Sequence, residues 1–221
     1  MALLNVRLGW WLGNPGPAGN SSFADEGPRT AARSLLAEVL GMTREYQEYV
    51  YLSDGGHFEN LGIYEMVRRR CKLIVVSDAG CDPEYAFEDL GNAVRKISID
   101  LGVPIRFHGL ADLRPRRVDG RDIGPGHPYH AIGEIDYPAA DGGGDKGLIL
   151  YLKPGYHGSE ITAAVRSYAM ANRQFPHDDT INQWFGESQI ESYRALGFEI
   201  MDNLLSTALE SAHGQSQHYN G

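Results

Sequence analysis

Two short apolar runs, each followed by an aspartate and glycine, constrain the fold of this chain most strongly. The first run is Tyr49–Leu52 and leads to Asp54–Gly56; the second is Lys72–Ser77 and leads to Asp78–Gly80. Both runs are rich in β-branched, aromatic or leucine side chains, which favours strands that end at a turn. The continuous apolar character of the second run is typical of a strand covered on both faces.

Helical periodicity occupies the chain on either side of the second run. The stretch Leu61–Arg70 carries an apolar stripe, and Phe87–Leu101 carries apolar side chains at intervals of three and four residues. Val103–Phe107 then favours a third strand. The order strand, helix, strand, helix, strand predicts an α/β fold with a mostly parallel sheet and flanking helices.

The pattern changes in the later part of the chain. Tyr129–Ile135 and Leu148–Leu152 read as two strands, and the segment between them contains the glycine-rich stretch Asp141–Gly147. A flexible connection of this kind predicts a C-terminal antiparallel hairpin that joins the sheet.

Three further helices and a tail complete the predicted organisation. The helices are expected near Thr30–Leu40, Ser159–Asn172 and Glu187–Ser206, where apolar residues recur at helical spacing. The polar segment 211–221 lacks enough apolar residues to fill a core, so a disordered tail is expected there.

The charge balance and the cysteine count exclude some classes of protein. With 29 acidic and 20 basic side chains, the net charge of −9 opposes binding to nucleic acid, which depends on a surplus of lysine and arginine. The two cysteines, Cys71 and Cys81, are too few for a disulfide framework. No secretory signal is recognisable and no apolar run has the length of a membrane span, so a cytoplasmic location is expected.

Several sequence blocks in order resemble those of a known family. Leu52–Leu61 resembles the Asp-Gly-Gly or Asp-Gly-Ala block of patatin-like phospholipases, which is usually followed by an asparagine a few residues later. The longer stretch Tyr51–Phe107 is similar to bacterial patatin-like proteins related to the cytosolic phospholipases. The resemblance covers about Asn5 to Ile200, and its other blocks are Val6–Leu12, Phe175–Thr180, Gln183–Phe185 and Gln189–Arg194.

This resemblance implies a lipid acyl hydrolase that works by a Ser–Asp dyad and needs no cofactor. In such enzymes a serine on a Gly-x-Ser-x-Gly turn attacks the ester carbonyl, and an aspartate acts as general base on that serine. Asp54 matches this aspartate. Gly55 and Gly56 are expected to turn the backbone and leave the carboxylate uncrowded. Asn60 is expected to cap the following helix or to pin the loop, and His57 either orients or contacts the substrate or is a simple exposed loop histidine.

The sequence departs from the family pattern at the nucleophile. No Gly-x-Ser-x-Gly occurs in the 221 residues, and no glycine-rich oxyanion loop occurs near the start. Both features lie upstream in the family, so residues 1–210 are expected to be the C-terminal part of a patatin-like domain. The upstream half and a lipid or acyl ester are then the expected partners. We expect no hydrolysis by this chain alone, and peripheral contact with a membrane by the complete protein.

Other interpretations remain open from the sequence alone. Asp54 can be an ordinary turn residue, because Asp-Gly-Gly is a common turn sequence. The fold is also compatible with a non-catalytic interaction or regulatory module. A weaker alternative is a metal- or nucleotide-dependent enzyme that uses Asp54 and Asp78. The side chains of His57, Glu59, Asp78 and Asp82 are a possible divalent-ion set, although a solvated acidic rim without metal is the preferred interpretation. For Asp78, a structural role at the turn or at the neighbouring strand is preferred.

Overall fold

The structure is a computed structural model that describes residues 9–30, 32, 36–37, 40, 42, 44, 46–114, 117–118, 121–122, 128–158, 162–179 and 181–218. The chain divides into two compact units, Met1–Asn60 and Leu61–Gly221. The helix predicted at Thr30–Leu40 lies mostly outside the described residues.

The first unit contains one antiparallel strand pair. Strand β1, Gly9–Gly13, pairs with β2, Tyr49–Ser53, so that Gly9 lies opposite Ser53. The predicted strand at Tyr49–Leu52 is therefore confirmed. Short 3₁₀ turns occur at Pro17–Gly19, Ser22–Ala24 and Gly55–His57.

Buried polar side chains fix the connection between β1 and β2. The Asn14 amide donates to the Gln47 carbonyl at 2.7 Å. The Ser22 hydroxyl lies 2.7 Å from the Gly19 carbonyl and 2.6 Å from the Glu48 carbonyl. Because buried backbone carbonyls need donors, these side chains replace the hydrogen bonds that a regular strand would supply.

The other elements whose bounds lie in the described residues belong to the second unit. Its helices are α1 (Ile63–Arg68), α2 (Glu88–Leu101), α3 (Tyr137–Asp141), α4 (Ala163–Ala171) and α5 (Glu187–His218). Its strands are β3 (Leu73–Ser77), β4 (Ile105–His108), β5 (Arg117–Val118), β6 (Arg121–Asp122), β7 (His130–Ile135) and β8 (Gly147–Leu152), with a 3₁₀ turn at Leu110–Leu113.

The four-stranded sheet of this unit is mixed, with the order β3-β8-β7-β4. Strands β3 and β8 are parallel, whereas the β8–β7 and β7–β4 pairs are antiparallel. The predicted C-terminal hairpin is confirmed as the β7–β8 pair. The prediction of a mostly parallel sheet is wrong for the described strands, because this hairpin lies between β3 and β4 and reverses two of the three pairings. The short strands β5 and β6 form a separate antiparallel pair.

The predicted helices of the second unit are present with shifted ends. Helix α2 begins at Glu88 and ends before Gly102, whose φ of 64° suits a glycine beyond a helix end. Helix α5 extends from Glu187 to His218 and so enters the segment 211–221, for which disorder was expected. Residues 207–213 are rich in good helix formers and contain no proline, so the chain can continue the helix.

One face of the sheet carries the main core. Ile74 and Val76 of β3 are buried, whereas Leu73 and Val75 are 66% and 58% exposed. The expectation that both faces of β3 are covered is therefore wrong, since α1 and α2 pack on the face that carries Ile74 and Val76. A second cluster lies around α4 and α5 and consists of Tyr129, Val165, Ala169, Phe175, Leu196 and Ile200.

Candidate functional site

Asp54 lies directly after the end of β2, in an exposed turn. Its carboxylate Oδ1 accepts a hydrogen bond from the Gly56 backbone N–H at 3.2 Å, which makes Asp54 the N-cap of the 3₁₀ turn. Within the described part of the chain, no donor hydrogen-bonds Oδ2. One oxygen therefore holds the carboxylate in place, and the other is available to a proton donor, which is the arrangement that a general base requires.

The two glycines after Asp54 differ in the space next to their Cα atoms. A Cβ atom at Gly55 would meet nothing within 4 Å, whereas a Cβ at Gly56 would lie 2.5 Å from the Asn60 Oδ1 atom. The Asn60 side chain is thus placed against the turn, as the loop-pinning interpretation predicted. The capping interpretation is wrong, because the N-cap of α1 is Gly62.

His57 is exposed and is tied to the backbone of the same turn. Its Nδ1 atom lies 3.3 Å from the Asp54 carbonyl oxygen and donates to it when Nδ1 carries the proton. The imidazole thus hydrogen-bonds the main chain of the turn rather than the Asp54 carboxylate. This contact fits a residue that orients the turn, and the exposed ring is also accessible to a substrate.

Asp78 occupies the corresponding position after β3, but its environment is very different. The residue is 3% exposed, and its Oδ1 accepts from the Gly80 backbone N–H at 3.0 Å. Its Oδ2 accepts from the Tyr151 hydroxyl of the neighbouring strand β8. Both predicted structural contacts of Asp78, with its turn and with the adjacent strand, are therefore confirmed.

A buried lysine that the sequence interpretation missed completes this cluster. The Lys153 Nζ atom lies 3.2 Å from Asp78 Oδ1 and 3.9 Å from Asp82 Oδ2, and it donates to the Gly80 carbonyl at 3.1 Å. Ser77 pairs with Leu152 at the end of the parallel β3–β8 ladder. Asp78 and Lys153 are the next residues of the two strands and therefore lie side by side. In the sequence, an aspartate follows the apolar run of β3 and a lysine follows the apolar run of β8. These opposite charges after two apolar strands could have indicated the pair.

Burial keeps the Tyr151 hydroxyl protonated. Desolvation, reinforced by the hydrogen bond to Asp78, raises the pKa of Tyr151 well above its ordinary value, so the hydroxyl stays protonated and donates. The Asp82 carboxylate accepts from the backbone N–H groups of Ala86 and Phe87 at 2.8 and 2.9 Å. A cavity of about 110 Å³ adjoins these groups and is lined by Asp78, Gly80, Cys81, Asp82, Ala86, Glu88, Asp89 and Lys153.

The possible divalent-ion set is divided between the two compact units of the chain. His57 and Glu59 belong to the first unit, and Asp78 and Asp82 belong to the second. In the described ranges, no group of three or more histidine, cysteine or acidic side chains is arranged to hold a metal ion. Cys71 and Cys81 are free thiols, and Cys81 donates to the His177 carbonyl at 3.0 Å.

Comparison with known proteins adds no further identification. No protein family, no curated protein and no solved structure matches this chain. Among the described helices, none combines the length and the apolar character needed to cross a bilayer. Function is therefore inferred from the residues around Asp54 and from their geometry.

Proposed function

We propose that this chain supplies the general base of a lipid acyl hydrolase that cleaves carboxylic esters, phospholipids among them, by a Ser–Asp dyad. Asp54 is the base, and the nucleophilic serine comes from a segment outside residues 1–221. The single observation that supports this role is the exposed Asp54 carboxylate after the end of β2, with Oδ1 held by the Gly56 N–H and with no hydrogen-bond donor on Oδ2 among the described residues.

The proposed chemistry assigns one task to each group. Asp54 Oδ2 accepts the proton of the serine hydroxyl while the serine oxygen forms a bond to the ester carbonyl carbon. The collapse of the tetrahedral intermediate then releases the alcohol, which takes the proton from Asp54. Water attacks the acyl-serine in the same way and releases the fatty acid. Gly56 and Asn60 hold the carboxylate and its turn in position, and His57 orients the turn through the Asp54 carbonyl.

The test of Asp54 uses the complete reading frame that contains this chain, with nitrophenyl butyrate as substrate. Asp54→Asn retains the shape of the side chain but cannot accept the proton, so a loss of about 10²- to 10⁴-fold in kcat is expected. Asp145→Asn, an exposed aspartate in the second unit, is the matched control and should retain activity. Equal activity of Asp54→Asn and the control would exclude Asp54 as the base.

The isolated chain provides a second and independent measurement. Purified residues 1–221 contain no Gly-x-Ser-x-Gly nucleophile, so nitrophenyl ester turnover should equal the buffer background. Robust turnover that persists in Asp54→Asn would contradict the proposal, since another group would then be performing the chemistry.

A non-catalytic interaction or regulatory module is the second candidate function. The absence of the nucleophile motif from the chain favours it directly. The coding sequence that precedes the chain separates the two candidates. An in-frame Gly-x-Ser-x-Gly supports the hydrolase, whereas a stop codon or an unrelated coding sequence supports the module.

A further inference from the structure

A cavity of about 500 Å³ opens in the first unit beside the β1–β2 strand pair. Its described lining combines three aromatic rings with two charged side chains, which are those of Trp11, Tyr46, Tyr49, Arg29 and Glu48. Aliphatic side chains contribute only Pro28 and Ala37 to this lining. The volume lies in the range of roughly 300–1,000 Å³ that is typical of small-molecule sites. The composition favours a ligand with a flat ring over one with an alkyl chain.

Strand pairing fixes the aromatic wall of the cavity. Trp11 lies opposite Tyr51 and Gly13 lies opposite Tyr49, so the three aromatic side chains share one face of the strand pair. The ring centroids of Trp11 and Tyr51 are 5.5 Å apart. The Tyr49 hydroxyl donates to the Asp25 carboxylate at 2.7 Å, which holds the ring in place. Rings that are fixed before a ligand arrives can stack on it with little loss of side-chain entropy.

Opposite charges face the same cavity without neutralising each other. Arg29 and Glu48 both line it, and neither forms an ion pair with another side chain in the described ranges. A guanidinium binds a carboxylate through charge-assisted hydrogen bonds, and a carboxylate binds an ammonium group in the same way. The two side chains together therefore suit a ligand that carries one charge of each sign.

The indole of Trp11 provides a further donor. Its Nε1 atom is buried, and within the part of the chain that the structure describes no acceptor hydrogen-bonds it. Buried N–H groups ordinarily have a partner, because burial without one is costly. An acceptor oxygen on a bound ligand would supply that partner.

We propose that this cavity binds a free α-amino acid with an aromatic side chain. The ligand carboxylate accepts from the Arg29 guanidinium and from Trp11 Nε1, and the ligand ammonium donates to the Glu48 carboxylate. The ligand ring lies against Tyr46 and Tyr49. Each feature of the lining thus has a counterpart on one small molecule.

Isothermal titration calorimetry of residues 1–221 with four probes tests the proposal. L-Tryptophan carries the carboxylate, the ammonium group and the ring. Indole-3-propionate lacks the ammonium group, tryptamine lacks the carboxylate, and L-norleucine lacks the ring. Saturable binding of L-tryptophan is expected, and each of the other probes should bind at least about tenfold more weakly, because each loses one charged or stacking contact.

Two variants assign the charged contacts. Arg29→Gln should weaken the binding of L-tryptophan at least about tenfold but that of tryptamine, which has no carboxylate, by less than about twofold. Glu48→Gln should weaken L-tryptophan similarly and leave indole-3-propionate, which has no ammonium group, nearly unchanged. The matched controls are Arg44→Gln and Glu26→Gln, which remove exposed charges of the same unit outside the cavity lining and should change L-tryptophan binding by less than about twofold.

Three results would overturn the inference. These are the absence of saturable binding of L-tryptophan, equal binding of L-tryptophan and any of the other probes, and equal binding of L-tryptophan by Arg29→Gln and the wild type. Far-ultraviolet circular dichroism shows whether each variant is folded, and Arg29→Lys, which loses the forked donors, replaces Arg29→Gln if the latter unfolds. Asp54 is not among the described residues that line the cavity. Amino-acid binding without ester hydrolysis by the complete protein would therefore contradict the hydrolase proposal alone, and the reverse result would contradict this inference alone.

Discussion

At the scale of single residues, two lysine–aspartate pairs differ strongly in their burial. The Lys153–Asp78 side chains are 1% and 3% exposed, whereas those of Lys72–Asp145 are 77% and 76% exposed. Lys153→Met leaves the Asp78 carboxylate buried without its cation, so we expect the free energy of unfolding to fall by about 3–5 kcal/mol. Lys72→Met should change the free energy of unfolding far less, because both partners of that ion pair are exposed to water. Urea unfolding of both variants measures this difference, and equal losses would contradict the assigned burial.

Gly13 offers a second test at the residue scale. A Cβ atom at this position would lie 1.7 Å from the Ser22 carbonyl oxygen, and a backbone atom cannot move aside as a flexible side chain can. Gly13→Ala should therefore destabilise the first unit by on the order of 1–3 kcal/mol. Gly55→Ala is the control in the same unit, since nothing lies within 4 Å of its added Cβ. Limited proteolysis of residues 1–60 measures both effects, and similar cleavage rates would rule out the close contact.

At the scale of elements, α2 contains a glycine at an interior position that has room for a side chain. Gly91 lies within α2, and a Cβ atom there would have open space around it. Alanine restricts the unfolded chain and favours the helix, so Gly91→Ala should stabilise the protein by about 0.5–1 kcal/mol. Thermal unfolding followed by circular dichroism gives the measurement. Gly102→Ala is the opposite control, because its φ of 64° disfavours a side chain and should lower the melting temperature.

The elements also show which features a sequence pattern can predict. The apolar run at Lys72–Ser77 and the helical periodicity at Phe87–Leu101 identified β3 and α2 correctly, because both patterns are local. The same run gave no indication that one face of β3 is exposed, since coverage depends on where the helices pack. Lys153 was missed for a related reason: its partner Asp78 is 75 positions earlier in the chain, and only the pairing of β3 with β8 brings them together.

At the scale of the whole molecule, exposed ion pairs determine the response to acid. Hydrogen bonds from Arg68 and then Arg69 lower the pKa of Glu65 from 4.5 to about 2, and those from Arg70 and Lys146 lower the pKa of Asp141 and of Glu134. A carboxyl whose pKa is lower in the folded state stabilises the fold above its unfolded pKa, and this contribution is lost as the pH falls through the folded value.

The melting temperature should therefore decrease as the pH falls from about 4.5 to about 2, and it should respond to salt because the pairs are exposed. Glu65→Gln removes one of the titrating groups and should make this decrease shallower. A scanning series at constant ionic strength measures both slopes. A wild-type melting temperature that is constant across this range would contradict the assigned pairs.

The candidate site was predictable in part. The Asp54–His57 turn was identified from an aspartate and two glycines after a strand, and the structure exposes Asp54 with its Oδ1 held by the Gly56 N–H. The sequence left two alternatives for Asn60, which were to cap α1 or to hold the loop in place. An asparagine side chain can do either, so the residue type does not distinguish them. The N-cap at Gly62 and the Asn60 contact distinguish them, and both depend on the conformation of the loop.

The sequence by itself determined the local features of this protein: where strands and helices form, which turn carries Asp54, and the absence of a Gly-x-Ser-x-Gly nucleophile. Side-chain periodicity and turn residues act over a few positions, so they can be recognised before the tertiary structure is known. Tertiary structure alone decided the mixed strand order, the exposed face of β3 and the buried partnership of Asp78 with Lys153. Those features arise from pairing between segments that are distant in the sequence. Asp54 and Asp78 both follow a strand, but Asp54 is exposed to water, whereas Asp78 is buried and paired with Lys153.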